Sequence, residues 1–89
     1  MANRTLHKEW KNKRSGYTHR MRWYKGRSDV RLALEDPEGT VNVIVPNADY
    51  AGILWAKFRA SSLTFGGPVA RDVVAECQSV HPQLFWVTA

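Results

Sequence analysis

The chain has 89 residues, 44% of them apolar, with four tryptophans and a single cysteine. That is enough for one domain, which buries roughly 60–65% of the surface its unfolded form exposes, and Cys77 alone excludes an intrachain disulfide. No run approaches the roughly 20 apolar residues of a membrane span. The first residues are polar and charged where a secretory signal would need an apolar core, so the expectation is a cytoplasmic chain with no membrane contact.

The charge is polarised along the sequence. Residues 1–28 carry nine Lys/Arg against Glu9 alone, a balance of +8, while residues 29–89 sum to −3. A mildly acidic body with a strongly basic end suits an anionic partner. The plainer reading is a basic tail that only keeps the protein soluble.

Residues 1–15 show weak periodicity. Leu6 and Trp10, four apart, suit one helical turn, and the segment reads as a basic arm ended by Ser15-Gly16, with residues 16–89 as the domain. A strand follows over 17–24, sending Thr18, Arg20, Arg22 and Tyr24 to one face and Tyr17, His19, Met21 and Trp23 to the other. Lys25-Gly26-Arg27-Ser28 reads as a turn. Val30, Leu32 and Leu34 then alternate with Arg31, Ala33 and Glu35 in a strand over 29–35. Asp36-Pro37-Glu38-Gly39 has the residues of a type I turn, and Val41, Val43 and Val45 alternate with Asn42 and Ile44 over 40–45. Residues 29–45 are thus a hairpin.

Asn47 is a good N-cap for a helix over 47–62, and Asp49 suits its first turn. Tyr50, Leu54 and Phe58 form its apolar stripe. Gly66-Gly67 breaks the chain, and Pro68 opens a second helix over 68–80 with Val69, Val73 and Cys77 on one row and Ala70 and Val74 beside it. His81-Pro82 ends it, and residues 83–89 read as a short, mostly apolar strand. The expected fold is α+β: a three-stranded antiparallel meander with two helices packed on one face, a short C-terminal strand and a basic N-terminal arm.

On this phasing Arg20, Arg22, Tyr24 and Arg31 share the open face of the sheet, because burying arginines against helices would be costly. Guanidinium groups bind phosphate bidentately and stack on bases, and tyrosine is a sequence-tolerant stacking platform. Lys8, Lys11, Lys13 and Arg14 of the arm would add attraction. The expected function is a small non-enzymatic protein that binds nucleic acid or a nucleoprotein. The competing structural reading is a solvated sheet face whose arginines pair with Glu35 and cover apolar neighbours with their stems.

The three strands followed by a helix resemble, in element order only, the small β-sheet DNA readers such as AP2-type and integrase arm-binding domains. What that resemblance implies is DNA contact through the sheet. A double-stranded-RNA-binding domain is a poorer match, since its long first helix and basic helix start are missing.

Catalysis finds little support. His7, His19, His81 and Cys77 are dispersed without metal-ligand spacing, Cys77 sits on an apolar helix row, and Glu35, Asp36 and Glu38 read as solvated acids around a turn. No cofactor and no metal is expected. The alternative function is a small accessory or inhibitor protein, of the kind frequent among phage and mobile-element genes, that docks on a larger host protein. Trp10, Phe85 and Trp86 would be its anchors, and the apolar segment Leu84–Val87 would equally serve a homodimer.

Overall fold

The computed structural model describes residues 5–25, 29–83 and 85–88. They form an α+β structure with strands β1 (Thr5–Lys11), β2 (Thr18–Lys25), β3 (Val30–Asp36) and β4 (Gly39–Val45), helices α1 (Ala48–Phe65) and α2 (Ala70–Val80), and a last strand β5 (Trp86–Thr88). All five strands belong to one open antiparallel sheet in the order β1-β2-β3-β4-β5. The expected β3–β4 hairpin is present, closed by Asp36 opposite Gly39. The turn expected at residues 25–28 lies outside the described residues apart from Lys25, the last residue of β2.

Several expectations are corrected, among them the C-terminal strand, which spans Trp86–Thr88 of the expected 83–89. The meander has β1 ahead of the three expected strands, because residues 5–11 pair with β2 along their whole length, from Thr5 opposite Tyr24 to Lys11 opposite Thr18. The segment is a sheet strand and neither a helical turn nor an arm. Of the helices, α1 continues to Phe65 and α2 begins at Ala70, each a few residues from its expected boundary. Gly66 ends α1 in the left-handed conformation, φ 75°, and donates its N–H to Ser62 O at 2.9 Å, the usual glycine stop.

The helices cover one face of the sheet. Met21, Leu32, Leu34, Val43 and Val45 from the strands meet Ala51, Leu54, Phe58, Val73, Val74 and Cys77 from the helices in a single core. Alternation with period two along each strand leaves the opposite face without a helix. The side chains of Asn47 and Asp36 supply the N-terminal caps. Asn47 Oδ1 accepts from Asp49 N and Tyr50 N. Asp36 Oδ2 accepts from Ala70 N at 2.9 Å at the start of α2, where Val69 has no side-chain cap to offer. Asp36 is buried and serves the fold, so its reading as a solvated turn acid is also corrected.

Candidate nucleic-acid interface

The register across β1, β2, β3 and β4 lays the open face out in rows. Glu9, Arg20, Glu35 and Thr40 form one row; His7, Arg22, Ala33 and Asn42 form the next; Tyr24, Arg31 and Ile44 belong to the third. Partners across an antiparallel ladder project to the same side with Cβ atoms about 5 Å apart. The strand-2 phasing read from the sequence therefore matches the fold: Met21 is fully buried and Trp23 packs on the core, while Arg20, Arg22, Tyr24 and Arg31 are exposed.

The three arginines differ in what surrounds them. Arg20 is held by two carboxylates at once, its Nε donating to Glu9 Oε1 and its Nη1 to Glu35 Oε2 at 2.5 Å. These hydrogen bonds raise the guanidinium further above its ordinary range, the Glu9 bond contributing most. Reciprocally, the hydrogen bond from Arg20 lowers the Glu9 carboxyl below its usual value. Row one thus carries one cation between two anions and has no charge to spare. Arg31 has a looser neighbour, Asp29 Oδ1 at 3.7 Å from its Nε. Among the described residues no carboxylate pairs with Arg22. Ala33, between Arg22 and Asn42 in register, is buried despite facing away from the helices, so its row neighbours close over it.

The cations expected of the arm do not act as one group. Lys11 lies opposite Thr18 and shares the open face, whereas Lys8 lies opposite Met21, in the row that faces the helices. Lys13 and Arg14 sit exposed in the turn between β1 and β2. That turn is fastened to the end of α1. Asn12, buried, donates from Nδ2 to Ser62 O and Leu63 O, both at 2.9 Å, and its Oδ1 accepts from Arg14 N and Ser15 N.

The expected anchors of a protein interface are placed elsewhere. Trp10 is partly buried: its Nε1 donates to Ser62 Oγ, and its ring lies edge-on to Trp55 and Phe58 with centroids 5.1 and 5.5 Å away. Phe85 is fully buried, with Tyr50 and His81 around it. Both rings are used by the core, since each has apolar surface to cover and the sheet brings α1 within reach. Trp86 contributes its backbone to β5 opposite Ile44; its side chain, like Leu84, lies outside the described residues.

Cys77 and His19 are both buried. Cys77 is buried on α2, and desolvation raises its thiol pKa, which suppresses the nucleophilic thiolate. His19 is fully buried, its Nε2 2.9 Å from Gly67 O and its ring between Trp10 and Phe58. A cleft lined by Asp36, Glu38, Thr40, Arg71 and Asp72 lies beside the start of α2. Among the described residues no group of three or more His, Cys, Asp or Glu could hold a metal ion, and no helix is long and apolar enough to cross a membrane.

Sequence reasoning missed two residues of this face. Glu9 neutralises Arg20, and His7 stands directly opposite Arg22. The alternation of Leu6, Lys8 and Trp10 with His7, Glu9 and Lys11 is the signal that would have placed them. Comparison of the chain with protein-family models, with curated proteins and with solved structures finds no match.

Proposed function

We propose that the chain is a small non-enzymatic binding protein that contacts nucleic acid, or a nucleoprotein, through the open face of its sheet. The observation that supports this reading is the segregation of side chains: both helices occupy one face, and Arg22, Tyr24, Arg31 and Lys11 are exposed on the other. Arg22 is the centre of the reading, because Arg20 is already committed to Glu9 and Glu35. Tyr24 and Arg31, opposite each other in the adjoining row, offer a stacking ring and a second guanidinium. Fluorescence anisotropy with mixed-sequence DNA and RNA oligonucleotides at about 50 mM salt tests it: binding should be seen, and should weaken steeply as salt rises.

One observation favours docking on a larger protein instead. Phe65 is 73% exposed, and Tyr17 and Leu63 are each about half exposed, where the β1–β2 turn meets the end of α1. If none of the oligonucleotides binds at low salt, this second reading takes the place of the first.

A further inference from the structure

Arg22 is flanked across the β1–β2 ladder by His7, and the pair stands in a row without a carboxylate among the described residues: His7, Arg22, Ala33, Asn42. One row away the sheet does the opposite, enclosing Arg20 between two acids. Two basic groups directly opposite each other on a strand pair repel once both are charged, and an anion between them relieves that repulsion. Cβ atoms about 5 Å apart let a guanidinium fork and an imidazole reach the oxygens of one phosphate from two sides. Both side chains are exposed, so a phosphate meets them without any movement of the sheet.

We propose that His7 and Arg22 together hold one backbone phosphate of the bound nucleic acid, with His7 contacting it as the imidazolium. This rests on the nucleic-acid reading above and adds to it a specific pair and a pH signature. Imidazole changes charge between about pH 5 and 8, so the number of phosphate contacts changes in that window. The titratable and charged groups that share the face with His7 are Glu9 and Lys11 on its own strand, Arg20, Arg22 and Tyr24 on β2, and Arg31 and Glu35 on β3. Glu9 is engaged by Arg20 and also interacts electrostatically with His7. The first strand is an edge of the sheet, and the helices pack on the opposite face.

The test is the salt dependence of binding to a mixed-sequence oligonucleotide at about pH 8 and pH 5.5, for the unmodified protein, His7→Gln, Arg22→Ala and His81→Gln. His81 lies against Tyr50 and Phe85 at the far side of the core and controls for other histidines. The slope of log affinity against log salt should steepen by about one unit at the lower pH in the unmodified protein and in His81→Gln. It should stay constant in His7→Gln, and Arg22→Ala should bind more weakly at both pH values. Oligonucleotide binding that is pH-independent in the unmodified protein, or equally pH-dependent in His7→Gln, overturns the His7 assignment and leaves the nucleic-acid reading standing. Absence of binding at either pH overturns both.

Discussion

The indole of Trp10 donates its N–H to the hydroxyl of Ser62 at 2.5 Å, which ties the N-terminal strand to the last turns of α1. Ser62 is fully buried, and its hydroxyl donates a hydrogen bond to Arg59 O at 2.9 Å, so donor and acceptor are both satisfied. Replacing Trp10 by Ala removes the ring from its contacts with Trp55 and Phe58 and should cost roughly 3 kcal/mol, the lower end of the range for large aromatic deletions. Trp10→Phe, which keeps a ring and loses the N–H, should cost about 1 kcal/mol. Chemical denaturation measures both, and a silent Trp10→Ala would mean that the strand is not held as described.

Gly66 should tolerate no side chain. Its φ is +75°, and a Cβ built there would lie 2.5 Å from Ser15 Oγ and 2.7 Å from Asn12 Cγ. The left-handed backbone alone should make Gly66→Ala cost roughly 1–3 kcal/mol, and displacement of the turn adds to it. Asn12→Ala, which removes the donor that caps Ser62 O and Leu63 O, should destabilise by about 1–3 kcal/mol. Both are read by thermal melts; a Gly66→Ala protein as stable as the parent would contradict the joint between turn and helix.

Much of this joint was not legible in the sequence. The β2–β3–β4 meander and both helices were, because Val30, Leu32 and Leu34, the odd-numbered valines of β4 and the Val69, Val73, Cys77 row each repeat with one clear period. The first strand was not. Leu6 and Trp10 are four apart, a spacing that fits a helical stripe and one face of a strand equally well, and Lys8 between them obscured the alternation. Only the tertiary pairing with β2 decides. The same ambiguity hid Glu9 and His7, and with them the difference between Arg20 and Arg22: strand phase puts both arginines on one face, but register decides which of them meets a carboxylate. Asp36 and Phe85 were misread for a related reason. A turn acid and an aromatic in a short apolar strand look exposed in one dimension; Asp36 is buried where it caps α2, and Phe85 is buried beside Tyr50 and His81, neighbours that only the fold brings to them.

The Glu9–Arg20 pair should be visible in the pH dependence of stability. The folded carboxyl is held below its usual range by the arginine, so its contribution is present above the ordinary carboxylate titration and is lost as pH falls through the lowered value. Glu9→Gln should therefore be less stable than the parent at neutral pH, and the difference should close as the solution is acidified below that range. Melts across a pH series check this; a gap of the same size at neutral and strongly acidic pH would show that the pair contributes nothing through charge.

In the proposed function, one face of the sheet binds, rather than the net charge of the whole molecule. Arg22→Glu and Arg71→Glu make the same change in net charge, yet Arg22 stands on the open face and Arg71 is exposed on α2, in the helix layer. The deciding measurement is oligonucleotide affinity at low salt for these two variants, after melts confirm that both fold. Arg22→Glu should lose most of the binding while Arg71→Glu stays close to the unmodified protein; equal weakening by the two substitutions would contradict binding through the sheet face.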